Sequence, residues 1–131
     1  MQFRCDGLEL SEAISVVSKA ISGKTTSQIL EGIKMVCEDN KLVLSATDLE
    51  ISIEKTIRAE VASAGETVVP GRLFGEYIKK LTNEQIECEL KERNQLKISY
   101  TDSEGVLQCM DVNEFPSLKE VEKKNYFEIN K

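Results

Sequence analysis

The sequence predicts an α+β fold in which two helices pack on one face of antiparallel sheet. Two segments show the 3.6-residue apolar periodicity of amphipathic helices, and short segments around them alternate apolar and polar residues as half-buried strands do. The order strand, helix, three strands occurs twice along the chain. We therefore interpret the domain as a duplicated unit, hereafter the first and second repeats.

The first repeat opens with the alternating stretch MQFRC, which predicts a strand. A helix is predicted over residues 8–22, because apolar residues recur there on one face: Leu10, Ala13, Ile14, Val17, Ala20 and Ile21. Three strands follow, GIKMVC, KLVLSA and LEISIEKTI. The segments Glu38-Asp39-Asn40 and Thr47-Asp48 predict the turns between them, with Asp48 as a turn residue.

The second repeat has the same order of elements with different letters. GETVVP is predicted as a strand and GRLFGEYIKKL as a helix, whose apolar stripe is Phe74, Tyr77, Ile78 and Leu81. Pro70 stands just ahead of this helix, where a missing N–H costs little. The last three strands are QIECEL, QLKISY and GVLQCM.

Composition favours a single soluble domain. The chain has 131 residues, 40% hydrophobic and 31% charged, which is the size and balance of one globular unit. No apolar stretch approaches the roughly 20 residues that a membrane helix needs, and the N-terminus lacks the apolar core of a signal peptide. We expect a cytoplasmic protein with no membrane partner.

The residue types of common catalytic and metal sites are scarce. The chain has no histidine, the commonest general base, and no serine, cysteine or lysine stands beside an obvious activating base. Four cysteines lie far apart without a C-x-x-C pair: Cys5, Cys37, Cys88 and Cys109. We expect them to be buried structural thiols, and we expect no metal, no cofactor and no catalytic residue.

The stretch ISGKTTSQ contains the last three letters of a phosphate-binding loop, Gly23-Lys24-Thr25. The full motif needs a glycine five residues earlier, where this chain has Ser18, and a loop that leads from a strand into a helix. Here the predicted order is reversed, so Gly23 is expected to end the first helix. A nucleotide-binding enzyme is therefore a weak alternative.

Charge is unevenly distributed between the predicted helices and strands. Residues 8–24 are neutral and residues 71–81 total +2, whereas residues 31–70 and 82–116 contain sixteen acids and seven bases. The chain as a whole carries −6. Such a domain could present its helices to an anionic polymer while its sheets repel that polymer. The alternative is that the helix lysines only solubilise a surface.

Four stretches occur in collinear order that together resemble the N-terminal domain of the bacterial DNA sliding clamp, the beta subunit of DNA polymerase III: VSKAISGKTTSQILEGI, LVLSATDLEISIE, TVVPGRLFGEYIKKL and DVNEFPSL. The resemblance implies a ring of two protomers with three similar domains each, closed around duplex DNA. It also implies that helices line the hole, that sheets form the outer wall, and that the clamp tethers the polymerase without catalysis.

The resemblance also implies site residues. Lys24, in the loop after the first helix, and Arg72, at the start of the second, match basic positions that contact the DNA backbone without reading bases. Helix geometry adds Lys19, Lys79 and Lys80. The predicted protomer interface comprises Leu73, Phe74, Gly105, Val106 and Leu107, with Gly105 where relatives often carry an aromatic residue.

The family chain continues for about two more domains, so we expect residues 1–122 to be the N-terminal clamp domain and residues 123–131 a linker with the start of the next strand. On this expectation the chain is a fragment. The resemblance places the polymerase and clamp-loader sites on domains that are absent here, and it joins this domain to a second protomer through a C-terminal domain that is also absent. The alternative of another class is a free-standing acidic α+β interaction module without a DNA role.

Overall fold

The computed structural model describes residues 1–21 and 28–116. Its helices and strands, in chain order, are β1 (Gln2–Asp6), α1 (Gly7–Val17), β2 (Gly32–Glu38), β3 (Lys41–Thr47), β4 (Ser52–Arg58), β5 (Glu60–Ser63), β6 (Gly65–Pro70), α2 (Gly71–Lys79), β7 (Gln85–Lys91), β8 (Gln95–Tyr100) and β9 (Ser103–Gln108). A 3-10 turn at Ser18–Ala20 extends α1. Every predicted helix and strand is present, with small differences at the ends.

The first strand of each repeat is hydrogen-bonded into the sheet of the other repeat. The five-stranded sheet has the order β5-β1-β7-β8-β9, and the four-stranded sheet has the order β4-β3-β2-β6. Thus β1 pairs with β7 of the second repeat, and β6 pairs with β2 of the first, in both cases antiparallel. The predicted α+β class is confirmed, with the strands divided between two sheets.

Equivalent turns repeat in the two halves. Asn40 and Asn94 both adopt positive φ angles, of 57° each, in the hairpins β2–β3 and β7–β8. The carbonyl of Asn40 accepts a hydrogen bond from the Ala59 N–H at 3.2 Å, and that of Asn94 accepts one from Cys109 at 2.7 Å. Each turn is therefore hydrogen-bonded to the residue that follows the last of the three strands after the helix of its own repeat, β4 or β9.

The chain that follows Ala59 differs in structure from the chain that follows Cys109. In the first repeat it forms β5, which pairs with β1 at the edge of the five-stranded sheet. In the second repeat it makes one bridge, between Met110 and Val68 on β6. Strand β5 was not predicted, because EVAS is short and has no alternating set of large apolar residues.

The core lies between the helices and the inner faces of both sheets. All members of the predicted α1 stripe except Ile21 are buried, and so are Phe74, Ile78 and Leu81 of the α2 stripe. The sheets contribute buried residues from central strands: Phe3, Cys5, Ile33, Met35, Leu42, Leu44, Ile86, Cys88, Leu96 and Ile98. Truncating a fully buried side chain such as Phe74 to alanine is expected to cost about 3–5 kcal/mol.

The two helices lie side by side, and glycines allow their close approach. A β-carbon at Gly75 of α2 would lie 3.3 Å from Cγ2 of Ile14 on α1. Gly75 therefore leaves room for α1 at this point of the helix contact. Neither helix in the ranges given above is long and apolar enough to cross a membrane.

Candidate nucleic-acid interface

The outward side of α1, α2 and their adjoining turns forms one exposed surface, hereafter the helix face. Its charged residues are four cations, Lys19, Arg72, Lys79 and Lys80, and three acids, Glu9, Glu12 and Glu76. All seven side chains belong to exposed residues. The helix face is thus close to neutral, with a small excess of cations among the described residues.

A groove of about 440 Å³ runs between α1 and α2 on the helix face. Three serines and Glu12 from α1 and the turn after it line one side, and Arg72, Glu76 and Lys79 of α2 line the other. Nε of Arg72 lies 3.4 Å from Oε1 of Glu76, one turn further along the helix. Arg72 is 90% exposed and Glu76 62%, so the ion pair is open to solvent.

The outer faces of the sheets are acidic and crossed by ion pairs. The pairs on the strands are Arg4–Glu87 at 3.7 Å, Lys34–Glu66 at 3.4 Å, Lys91–Glu89 at 3.0 Å and Lys97–Glu104 at 3.3 Å. On the helix face, by contrast, no described carboxylate lies within 4.0 Å of the ammonium of Lys19, Lys79 or Lys80. Lys19, Lys79 and Lys80 are therefore less neutralised by neighbouring carboxylates than these sheet cations, whereas Arg72 is paired with Glu76.

The structure brings four of the five predicted DNA-contacting residues to the helix face. Lys19 is on the 3-10 turn after α1, Arg72 is the second residue of α2, Lys79 is the last, and Lys80 follows it. Lys24 lies outside the described residues, as does Gly23. The predicted first helix precedes them, an order opposite to that of a nucleotide-binding loop. It ends earlier than predicted, because α1 stops at Val17, its 3-10 turn stops at Ala20 and the backbone at Ile21 is extended, so the helix is not ended by Gly23.

The predicted protomer-interface residues separate into exposed and buried groups. Leu73 is 58% exposed on α2, and Val106 is 65% exposed on the edge strand β9. Leu107 is partly buried and packs against the core. Phe74 is fully buried, so its side chain belongs to the core and offers no surface to a second protomer. The prediction for Phe74 is corrected, because it is part of the stripe that α2 buries.

Gly105 on β9 lies under an aromatic pair. A β-carbon on Gly105 would collide with the Tyr77 hydroxyl and lie 3.0 Å from Cζ of the same ring. The rings of Tyr77 and Tyr100 meet edge to face, with centroids 6.2 Å apart. Burial and a hydrogen bond with Tyr100 raise the pKa of Tyr77 to about 12. Sequence reasoning missed this cluster, since no local pattern joins α2 to β9.

The four cysteines are buried free thiols and form no disulfides, as expected. Burial raises the pKa of Cys5 to about 12 and also raises the pKa values of Cys37, Cys88 and Cys109. Thiolate forms are therefore disfavoured at neutral pH. In the described ranges, no cluster of three or more histidine, cysteine or acidic residues could hold a metal ion.

The turn between β3 and β4 is tightly hydrogen-bonded. Oδ1 of Asp48 accepts bonds from the N–H groups of Glu50, at 2.9 Å, and Ile51, at 2.8 Å. These bonds lower the pKa of the Asp48 carboxyl. Leu49 has a φ of 80°, a left-handed conformation that is rare for a leucine. The turn role predicted for Asp48 is confirmed, whereas the backbone strain at Leu49 was not foreseen.

Comparison with known proteins gives consistent matches. Residues 1–119 match the family described as DNA polymerase III beta subunit, N-terminal domain. The beta sliding clamps of Staphylococcus epidermidis and Staphylococcus aureus are 36% and 34% identical over 120 residues, which is 86% of this chain and 32% of each relative. The chain thus spans about a third of the length of these curated relatives.

Solved structures match the fold over most of the chain. The DNA polymerase sliding clamp of Bacillus subtilis superposes with a TM-score of 0.85 and 31% identity, covering 89% of this chain and 33% of that one. The DNA polymerase III subunit beta of Pseudomonas aeruginosa gives a TM-score of 0.82 and 27% identity over 89% and 32% of the two chains.

Proposed function

Because the chain belongs to the family of the DNA polymerase III beta subunit, N-terminal domain, we propose that it is one domain of a ring-shaped sliding clamp. In this proposal the ring encircles duplex DNA in the cytoplasm and tethers the replicative polymerase as a processivity factor. It holds DNA by topology and performs no catalysis. The family match over residues 1–119 carries the proposal, and the charge distribution supports it.

The separation of charge fits a surface that faces DNA. The helix face gathers four described cations, whereas strand-bearing residues 31–70 and 82–116 contain more than twice as many acids as bases. The acidic sheets would repel the phosphates of a duplex, whereas the near-neutral helix face would not. With the sheets as the outer wall, this arrangement would keep the DNA centred in the hole.

The contacts proposed for DNA are weak and independent of sequence. Lys19, Arg72, Lys79 and Lys80 carry long side chains that can reach phosphates, and the proposal also retains Lys24. Each neutralised phosphate releases counterions, so a few such contacts give low affinity that falls steeply with salt. Low affinity suits a clamp, because a ring that slides must exchange its phosphate contacts continually.

The remaining parts of the proposal concern the rest of the protein. We place the second protomer against the β9 edge of this domain, through Leu73, Gly105, Val106 and Leu107, and through the partner's C-terminal domain. DNA polymerase III and the clamp loader bind elsewhere on the ring. We also propose that residues 123–131 are a linker with the start of the next domain's first strand, and reading the coding frame beyond Lys131 tests whether about two further domains follow.

The experiment that tests the function measures retention on DNA. The complete protein is loaded onto nicked circular plasmid, and its release is followed after the plasmid is linearised. A clamp stays on the circle and slides off the linear form. Combined Arg72→Glu, Lys79→Glu and Lys80→Glu changes should impair loading, whereas Lys91→Glu, on the outward side of strand β7, should not. Binding that ignores DNA topology would reject the clamp, and normal loading by the triple variant would reject the helix-face contact.

A further inference from the structure

We propose that Glu76 is a positioning residue that withholds Arg72 from DNA and so limits how tightly the helix face holds a duplex. The inference rests on the proposed function and adds a restraint at the same surface. Its basis is the geometry of one ion pair, its place in the groove between α1 and α2, and its orientation along α2.

The ion pair engages the arginine at the atom nearest to its stem. Nε of Arg72 donates a hydrogen bond to Oε1 of Glu76 at 3.4 Å. Among the described residues, Glu76 is the one acid within 4.0 Å of this guanidinium. A phosphate that binds the edge of the guanidinium formed by Nε and one terminal nitrogen must compete with Glu76 for that edge.

The orientation of the pair argues against a role in helix stability. Arg72 is in the first turn of α2, where a cation opposes the helix dipole. Glu76 follows four residues later, and an acid C-terminal to its basic partner is the less favourable order at this spacing. Reversing the two residues would stabilise the helix better. The observed order is explained if the positive group must stand at this end of the groove.

The position of Glu76 in the groove supports the restraint. Arg72 and Lys79 line the groove seven residues apart, which is about 10 Å along a helix axis. Glu76 lies between them on the same side of α2. A sugar-phosphate backbone laid along the groove would pass Glu12 of α1 on one side and would meet, on the α2 side, two cations with the Glu76 carboxylate between them. That carboxylate weakens both contacts and leaves them exchangeable.

The test compares duplex affinity across a double-mutant cycle in the complete protein. Fluorescence anisotropy with a labelled 30-base-pair duplex in about 50 mM salt serves as the readout. Glu76→Gln should tighten binding about two- to threefold, and Arg72→Gln should weaken it by a similar factor. In the Arg72→Gln background, Glu76→Gln should increase duplex affinity much less. Salt should abolish the differences, because these contacts are exposed and screened.

The matched control removes an acid from a sheet ion pair of the same length. Glu66→Gln releases Lys34, whose Nζ lies 3.4 Å from Glu66, without touching the helix face. It should leave affinity unchanged. An equal gain from Glu66→Gln, or an undiminished gain from Glu76→Gln when Arg72 is absent, would show a general charge effect and overturn the inference.

Failure of the inference is distinguishable from failure of the proposed function. If Arg72→Gln weakens binding but Glu76→Gln changes nothing, the helix face contacts DNA and Glu76 does not restrain it. If Arg72→Gln is also without effect, the helix-face contact itself is rejected along with the restraint. Thermal melting of each variant checks that the changes act on binding and not on folding.

Discussion

The hydroxyl of Tyr77 lies over the α-carbon of Gly105, in the space that the β-carbon of any other residue would occupy. Only glycine fits at this position of β9 unless the Tyr77 side chain moves. The contact joins the second helix to the edge strand of the five-stranded sheet, at the surface where we propose the second protomer to bind.

Gly105→Ala should destabilise the domain by about 1–3 kcal/mol, because the new methyl group forces the Tyr77 ring out of its packed position. The nearest atom is the hydroxyl oxygen, so the same change should cost less in a Tyr77→Phe background. Urea denaturation of the four proteins measures both effects. An equal cost with and without the hydroxyl would mean that the collision is relieved elsewhere.

Exchanging Arg72 and Glu76 should stabilise the domain by a few tenths of a kcal/mol at low salt. The double variant Arg72→Glu, Glu76→Arg keeps the ion pair and net charge but places the acid in the first turn of α2. Thermal unfolding at about 20 mM and 500 mM salt is the measurement. The gain should vanish at the higher concentration, and a loss at low salt would contradict the dipole argument.

Asp48 should make stability depend on pH below neutrality. Its pKa is lowered in the folded state by the N–H groups of Ile51 and Glu50, so the stabilisation is complete above the unfolded-state pKa, near 4, and is lost as pH falls through the lower folded-state pKa. Asp48→Asn should be less stable than wild type at pH 7, and the difference should shrink towards pH 3. A constant difference in urea titrations across that range would reject this assignment.

Leu49→Gly should leave stability unchanged or raise it by up to about 1 kcal/mol, since glycine adopts the φ of 80° without strain. The leucine side chain is exposed, so little burial is lost. Leu49→Val is the matched contrast and should destabilise, because a β-branched residue fits this conformation worse. Chemical denaturation would contradict the strain argument if valine were tolerated as well as glycine.

The helices and most strands were predictable because each buries one face, and burial imposes a period on the residues that face inward. Leu10, Ile14 and Val17 show this for α1, and Phe74 and Ile78 for α2. The same logic placed the outward cations of the helices on one surface. For Phe74 the two predictions conflicted. The apolar period placed it in the buried stripe of α2, whereas the family resemblance placed it at the protomer interface.

The pairing of strands within the sheets could not be predicted from the sequence. Alternation shows which residues face inward but not which strand lies alongside. The pairing of Phe3 with Cys88 and of Met35 with Thr67 depends on contacts between distant segments. The collision at Gly105 is of the same kind. The Arg72–Glu76 pair, by contrast, could have been inferred from its four-residue spacing on a predicted helix.

The exchange of first strands between the repeats makes the two halves interdependent in folding. Cut at Ala64, between β5 and β6, each half would keep a first strand whose neighbour, β7 or β2, lies in the other half. Neither half would retain its complete sheet alone, so we expect fragment complementation, in which two inactive pieces recover structure on mixing. In a polypeptide with a single repeat, the first strand could find such a neighbour only in a second copy of the chain, with the two copies exchanging first strands.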